Sequence, residues 1–221
     1  MWLEVAAPGR VEYERAVALQ EALVARCLAG GSDALLLLEH PPVYTLGRGA
    51  DPIHLGLAAQ TGAPIVRTHR GGQVTYHGPG QLVGYPILDL RRRRPDVRWY
   101  LRTLEEVLVA ALADLGVAAE PRAGMTGVWV GPRKIASIGV ALRRWVSWHG
   151  FALNVGDDLT GFEAITPCGI AGVQMTSVAR EGGTASVDAA REAVLARFLE
   201  TFGYEGARPL ARDTSSEETR P

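Results

Sequence analysis

The spacing of its apolar residues is what most constrains how this 221-residue chain can fold. Three segments, residues 12–28, 98–115 and 187–202, repeat apolar residues at helical intervals. Between them lie short apolar runs bounded by Gly and Pro, which is the pattern of strands. We therefore expect one α/β domain of the α+β type, with a mixed β-sheet flanked by helices. The predicted strands are residues 2–6, 34–39, 43–46, 64–68, 81–90, 128–130, 135–142 and 146–155.

No linker or internal repeat divides the chain, so we expect a single domain over residues 1–207. The polar residues 208–221 are predicted to form a flexible tail. Lys and Arg total 23 against 24 Asp and Glu, a balance that indicates no nucleic-acid partner. The N-terminus lacks the regions of a signal peptide, and the longest strongly apolar run is too short to span a bilayer. We expect a soluble, cytoplasmic protein with reduced thiols and no membrane partner.

Lysine is almost absent from this chain: 22 of its 23 basic residues are arginine, and the exception is Lys134. Lysine differs from arginine in that its ammonium is compact and can lose its proton. A position that stays lysine in such a chain is therefore a candidate for chemistry. The alternative is an exposed strand end, because Lys134 follows a Gly-Pro turn and begins a β-like run.

A glycine-rich segment, RGGQVTYHGPGQ, covers residues 70–81. It lacks the P-loop pattern, and its Gly-x-Gly is followed by a strand rather than a helix, so neither nucleotide motif applies. Two readings stay open. The segment is either a pair of structural tight turns or a loop where a ligand approaches the backbone closely.

The two cysteines lie in different kinds of sequence. Cys27 falls on the apolar face of the first helix, where a buried structural thiol is expected. Cys168 lies in the turn sequence TPCGI, which can present a thiol. A free thiol has a pKa of about 8.5 and needs a nearby cation to react readily near neutrality, and Lys134 is a candidate. An inert buried thiol remains the alternative for Cys168.

Two histidines, His77 and His149, fit roles as acid, base or hydrogen-bonded strut, and the sequence does not separate these. No short ligand spacing such as Cys-x-x-Cys occurs, so no metal site is predicted. No Gly-x-Ser-x-Gly sequence marks a serine nucleophile. We expect no cofactor.

Three separated blocks together resemble the LipB family, the octanoyl-(acyl-carrier-protein):protein octanoyltransferases of lipoate biosynthesis. The blocks are RGGQVTYHGPGQLVGYP from residue 70, KIASIGVALRRWVSWHGFALNV from residue 134, and TPCGIAG from residue 166. The resemblance implies a fold like the catalytic domain of biotin and lipoate protein ligases. It also implies that Cys168 carries the acyl group, with Lys134 beside it. The implied substrate-binding residues are Arg70, Gly71, Gly72, Gln73, Val74, Thr75, Tyr76, His77, Ser137, Ile138, Gly139, Gly150, Phe151 and Ala152.

The resemblance further implies the reaction and its partners. An octanoyl or lipoyl group passes from acyl-carrier protein to a lysine of an apo lipoyl domain, through an acyl-cysteine thioester and without ATP. The implied acceptors are the E2 subunits of 2-oxoacid dehydrogenases and the H protein of glycine cleavage. The donor is expected to be acidic, and residues 91–94 with Arg143 and Arg144 are candidates to meet it. The alternative for the run 91–94 is a solvated loop.

Two other functions stay open at this point. One is an ATP-dependent lipoate or biotin ligase of the same fold, in which no acyl-cysteine forms. The other is a non-catalytic module that binds RNA or lipoyl domains. We expect a monomer.

Overall fold

A computed structural model describes residues 1–170 and 172–210 of the chain. Three α-helices fall within a residue of the predicted bounds: α1 (Tyr13–Leu28), α2 (Val97–Asp114) and α3 (Val187–Phe202). The strands are β1 (Trp2–Arg10), β2 (Ala34–Glu39), β3 (Val43–Leu46), β4 (Ile65–Arg67), β5 (Val74–His77), β6 (Gln81–Ile87), β7 (Glu120–Arg122), β8 (Met125–Val130), β9 (Arg133–Arg143), β10 (Val146–Asn154), β11 (Gln174–Met175) and β12 (Gly206–Pro209).

The large sheet is mixed, as predicted, with strand order β12-β1-β2-β6-β10-β9-β8-β7 and β11 added beside β9. Strands β12, β1 and β2 run parallel, whereas the pairs from β2 through β6, β10, β9, β8 and β7 are antiparallel. Short turns connect β8, β9 and β10, because antiparallel neighbours need only a hairpin. A second sheet of three strands has the order β4-β3-β5.

Helices cover both faces of the large sheet, and the sequence of β2 explains why. Its run ALLLLE is apolar at consecutive positions because both faces of the strand are buried. Leu35 and Leu37 pack with α2 and α3 on one face, and Leu36 and Leu38 pack with α1 on the other. The small sheet forms its own apolar cluster around Tyr44 and Leu46. A site between the small sheet and the large sheet therefore lies on the face of the large sheet that α1 covers.

Polar side chains begin two of the helices. Asp96 accepts hydrogen bonds from the first backbone N–H groups of α2, at 2.9 and 3.1 Å. Ser186 accepts one from Ala189 at the start of α3. Such caps satisfy N–H groups that have no partner inside the helix, and each contributes about 1 kcal/mol. No helix in the described part of the chain is long and apolar enough to cross a membrane.

The ends of the chain differ from the prediction. Strand β1 continues to Arg10 because its second half pairs with β2, as Gly9 with Leu38 and Arg10 with Glu39. Residues 206–209 form β12, and the side chain of Arg208 donates a hydrogen bond to Glu4 at 2.9 Å. Residues 208–210 were expected in the tail but belong to the sheet edge; the rest of the predicted tail, 211–221, lies outside the described residues.

Candidate active site

A cavity of about 230 Å³ lies between the large sheet and the segment 70–77, which crosses over strands β6, β9 and β10. The crossing is held by the backbone N–H of Gly71, which donates to the carbonyl of Val140 at 2.9 Å. The approach requires glycine at residue 139, since a Cβ there would lie 3.0 Å from the carbonyl oxygen of Gly71. The glycine-rich segment is thus the roof of a cavity and not only a pair of turns.

Lys134 and Cys168, 34 residues apart in sequence, meet at this cavity. The Nζ atom of Lys134 lies 3.2 Å from Sγ of Cys168 and 2.9 Å from the carbonyl oxygen of Thr126. The side chain of Lys134 is buried, and Nζ lies 5.2 Å from the centre of the Trp129 ring. Strands β8 and β11 flank the lysine on β9, so its stem is fixed. The prediction that the lysine stands beside the cysteine matches this geometry.

Gly127 makes room for the lysine stem. Its φ of 121° is one that glycine adopts readily and other residues rarely do. A Cβ there would lie 2.5 Å from the carbonyl oxygen of Ala136 and 2.7 Å from Cε of Lys134. The N–H of Gly127 donates to the buried carboxylate of Glu105 on α2, at 2.9 Å. Gly127 and Glu105 were not predicted as site residues, because neither belongs to the three blocks.

Cys168 occupies a tight turn of one 3₁₀ unit, Pro167–Gly169. Its backbone is left-handed, with φ 60° and ψ 10°, which is uncommon outside glycine and costs on the order of 1–3 kcal/mol. The turn is anchored by the N–H of Thr166, which donates to the carbonyl of His54 at 2.9 Å. Gly169 packs against the side chain of Gln73 from the roof. The turn therefore presents a partly exposed thiol to the cavity.

Arg70 supplies a fixed cation inside the cavity wall. Its guanidinium donates to the hydroxyl and carbonyl of Thr45, at 2.8 and 2.6 Å through Nη2, and to the carbonyl of Gly71. No carboxylate within the described residues forms an ion pair with it. Burial lowers the pKa of Arg70, and the neighbouring Tyr13 and Cys168 partly offset this.

His77 and His149 also line the cavity, and both are neutral. Burial lowers the pKa of each to about 3, with Arg70 and a second histidine adding to the effect. His77 is held by Gln81 at 2.7 Å through Nδ1, while neither ring nitrogen of His149 has a partner. Neither imidazole is therefore charged near neutral pH.

Most residues implied by the resemblance line this cavity, and Tyr76 is the exception. Side chains along β5 alternate between faces, so Tyr76 packs on Tyr44 and Phe162 at ring separations of 5.2 and 5.6 Å. The predicted residues that do line the cavity are Arg70, Gly71, Gly72, Gln73, Val74, Thr75, His77, Lys134, Ser137, Ile138, Gly139, Gly150, Phe151, Ala152 and Cys168. Ser137 presents a buried hydroxyl without a hydrogen-bond partner.

Several lining residues were not predicted as site residues, namely Tyr13, Val83, Tyr85, Gly124, Met125, Thr126 and Ile170. His149, a candidate acid, base or strut in the sequence, also lines the cavity. Tyr13 shows the difficulty, since it begins α1 and reaches the site only through tertiary packing. Val83 and Tyr85 carried a signal, because they stand at alternate positions of a strand that directly follows the glycine-rich segment.

The arginine run 91–94 makes several contacts within the chain. Arg91 and Arg92 form ion pairs with Asp89, at 2.7 and 3.3 Å, and Arg93 stacks on the Tyr204 ring with its Cζ 4.3 Å from the ring centre. These cations serve the fold rather than an open docking surface. Arg144, in contrast, is exposed at the β9–β10 turn. Within residues 1–170 and 172–210, no cluster of three or more His, Cys, Asp or Glu side chains is arranged to hold a metal ion.

Together, the mixed sheet and a thiol paired with an ammonium at a largely apolar cavity define a site suited to covalent transfer through cysteine. Residues 12–199 match the model of the lipoyl protein ligase A/B catalytic domain. The chain belongs to this family, and it is an enzyme of its octanoyltransferase group. The assignment to the octanoyltransferase group rests on relatives whose sequences match most of this chain.

Three such relatives are all named octanoyltransferase. The protein of Gloeobacter violaceus is 52% identical and the match covers 90% of this chain and 89% of that one. The protein of Citrifermentans bemidjiense is 53% identical, with 86% and 92% covered. The protein of Geobacter sulfurreducens is 54% identical, with 85% and 80% covered.

Solved structures confirm the predicted fold. A bipartite lipoate protein ligase from Thermoplasma acidophilum superposes with a TM-score of 0.73 at 20% identity, covering 96% of this chain and 87% of that one. A biotin protein ligase from Aquifex aeolicus gives a TM-score of 0.55 at 13% identity, with 90% and 70% covered. At these identities the likeness concerns the fold.

Proposed function

We propose that this enzyme transfers an octanoyl group from octanoyl-acyl-carrier protein to a lysine of an apo lipoyl domain, by way of a thioester on Cys168. The observation that carries the proposal is the 3.2 Å contact between Nζ of Lys134 and Sγ of Cys168, at the edge of the cavity. Relatives named octanoyltransferase support the choice of acyl group. The transfer is the first step of endogenous protein lipoylation.

In the first step the ammonium of Lys134 stabilises the thiolate of Cys168 by Coulomb attraction. The thiolate attacks the carbonyl of the donor thioester. A new carbon–sulfur bond forms on Cys168, and the bond to the carrier's sulfur breaks. The departing carrier thiolate takes a proton from the ammonium of Lys134 and leaves as the thiol, so Lys134 is left as a neutral amine. One thioester replaces another, so the step is close to neutral in free energy and requires no ATP.

In the second step the ε-amine of the acceptor lysine attacks the acyl-cysteine. An amide bond forms, the Cys168 thiolate leaves, and the amine gives up a proton. The neutral amine of Lys134 accepts that proton and becomes an ammonium again beside the departing Cys168 thiolate; the contact of its Nζ with the sulfur supports this role. The conversion of a thioester to an amide is downhill. We assign the hydroxyl of Ser137 and the backbone amides of the roof to contacts with the acyl group: they donate hydrogen bonds to its carbonyl oxygen and line the path of its alkyl chain.

The cavity favours a medium-length acyl chain. Its wall combines small residues such as Gly139 and Gly150 with apolar side chains such as Val83 and Ile138. At about 0.8 kcal/mol per buried CH₂, an octanoyl tail gains roughly 5 kcal/mol, enough to disfavour short acyl groups. Of the substrate-binding residues predicted from the resemblance, we retain all except Tyr76.

The acceptors proposed are the E2 lipoyl domains of 2-oxoacid dehydrogenases and the glycine-cleavage H protein. A related ligase from Thermoplasma acidophilum was solved in a study that includes its E2 lipoyl domain, which supports this class of acceptor. We assign Arg143 and Arg144, exposed at the β9–β10 turn, to contact with an acidic carrier protein. We propose that the enzyme acts in the cytoplasm as a monomer.

The test is transfer without ATP. The enzyme is incubated with octanoyl-carrier protein and an apo lipoyl domain, and the acceptor is weighed by mass spectrometry. Octanoylation of the acceptor lysine without ATP, lost in Cys168→Ser, is the expected result. Transfer that depends on ATP, or full activity of Cys168→Ser, contradicts the proposal and favours a ligase mechanism.

A further inference from the structure

His149 departs from the regular geometry of the strand that carries it. It lies inside β10 and pairs with Val140, yet its φ is 53°, in the left-handed region. Such a backbone costs on the order of 1–3 kcal/mol for a residue other than glycine, and it persists only where the surroundings hold it. Strained residues of this kind are concentrated at functional sites.

The left-handed backbone accompanies an unusual side-chain direction. Alternation along β10 places Trp148 on the face of the sheet that carries the cavity, so a regular strand would turn the next side chain away. The rings of Trp148 and His149 instead stack with centroids 4.3 Å apart. Tyr85, another lining residue, lies 6.4 Å from the His149 ring in an edge arrangement. The imidazole is therefore on the cavity side of the sheet.

Both ring nitrogens of His149 lack a hydrogen-bond partner among residues 1–170 and 172–210, although the residue is only 2% exposed. The other two buried histidines nearby contrast with it. His40 contacts the carbonyl of Val11 and the hydroxyl of Tyr85, each at 2.7 Å, and His77 contacts Gln81 at 2.7 Å. A buried polar group without a partner costs about 1–3 kcal/mol, so His149 is the imidazole with capacity left for a ligand.

Gln20 holds this arrangement from α1. Its side-chain oxygen accepts the backbone N–H of His149 at 2.8 Å, across 129 positions of sequence. Gln20 is fully buried in a helix face that is otherwise apolar, where a polar side chain needs a reason. The bond fixes the strained residue of β10 directly and makes Gln20 a positioning residue.

The register of the sheet places His149 far from the reacting sulfur. Its partner Val140 is six residues along β9 from Lys134, roughly 20 Å between backbone positions at ~3.3 Å per residue. Both side chains reach into the same cavity. An acyl chain attached to Cys168 that ran along β9 would meet His149 with its far end and not with its carbonyl.

We propose that His149, positioned by Gln20, is a specificity-determining residue that provides a hydrogen-bonding end to the acyl site. A neutral imidazole offers one donor and one acceptor, and a hydroxyl group can pair with either. The ligand class that uses it is a medium-chain acyl group with a hydroxyl at its far end, such as 8-hydroxyoctanoyl. This inference rests on the proposed acyl-cysteine function.

The experiment compares acylation of Cys168 by octanoyl-pantetheine and 8-hydroxyoctanoyl-pantetheine, followed by intact mass. Wild-type enzyme should accept both, with the hydroxylated chain at least as fast. The ratio of the hydroxylated to the plain rate should fall about tenfold or more in His149→Phe and in Gln20→Met. His149→Asn, which tolerates a left-handed backbone and keeps a donor and an acceptor, should restore part of the ratio.

Trp145→Phe is the matched control, because Trp145 also has a left-handed φ of 68° but does not line the cavity. Its ratio should equal that of the wild type. An unchanged ratio in both His149→Phe and Gln20→Met overturns the assignment of His149. Failure of wild-type enzyme to form an adduct with octanoyl-pantetheine is a different result, since it contradicts the proposed function itself.

Discussion

The two cysteines of this chain occupy opposite kinds of environment. Cys27 lies on the inner face of α1, fully buried, with its sulfur 3.9 Å from the Asp33 carboxylate. Burial, with a smaller contribution from Asp33, raises the pKa of the Cys27 thiol to about 11. Cys168 stands in a left-handed turn, partly exposed, with an ammonium 3.2 Å away.

The comparison shows that the neighbours of a thiol decide its use. An apolar core and a neighbouring anion keep Cys27 protonated, whereas Cys168 is partly exposed at a cavity and contacts the amino group of Lys134. The first site stabilises the fold and the second is built for reaction. The following changes break or sharpen this difference, from the largest expected effect to the smallest.

Replacing each sulfur by oxygen should separate the two sites most strongly. Cys168→Ser should lower octanoyl transfer by more than about 1,000-fold, because it removes the proposed nucleophile. Cys27→Ser should leave the rate of transfer nearly unchanged and lower only the midpoint of thermal unfolding. Equal losses in the two variants, measured by acceptor octanoylation, would contradict the comparison.

Lys134→Arg keeps the positive charge beside Cys168 but removes a group that can take up a proton. Acyl-enzyme formation should persist, and transfer to the acceptor should fall by about 100-fold or more if the lysine acts as a base. Single-turnover kinetics resolves the two steps. If both steps keep their wild-type rates, Lys134 does not act as a base.

The pH dependence of alkylation should differ between the thiols. Since its pKa is about 11, Cys27 is only about 1% thiolate at pH 9, and its reaction with iodoacetamide should rise with pH up to that range. At neutral pH, Cys168 should be alkylated about 100-fold faster than Cys27. The site of labelling is read from peptide masses. Preferential labelling of Cys27 in folded protein would be the contrary result.

Gly127→Ala should disturb the reactive site by displacing the side chain of Lys134. The added Cβ would overlap the carbonyl of Ala136 and the stem of Lys134, so acyl-enzyme formation should slow by about tenfold. Gly131→Ala is the control, because its φ is also positive at 53° but no atom lies within 4 Å of the new Cβ. Matching rates for the two variants would show that the fit around Lys134 is not critical.

The sequence was informative where local pattern decides structure. The bounds of α3 and β3 could be read directly, because apolar spacing and flanking Gly or Pro mark them. The proximity of Lys134 and Cys168 was implied by the resemblance, and the buried position of Cys27 followed from helical periodicity alone.

Other parts of the site depend on contacts that no local pattern contains. Tyr76 lies inside a predicted motif but faces away from the cavity, because strand alternation divides β5 between two faces. Tyr13 and Gln20 reach the site from α1 through tertiary packing. The left-handed backbone of His149 has no sequence mark, since the residue stands inside a run with the pattern of a regular strand.

The most direct test of the central claim is to map the acyl group after incubation with octanoyl-carrier protein in the absence of ATP. Proteolysis and mass spectrometry of the trapped enzyme should find one octanoyl group on the peptide that contains Cys168, sensitive to hydroxylamine, and none on the peptide with Cys27. An octanoyl group on Cys27 or on Lys134, or no adduct unless ATP is added, would contradict the account.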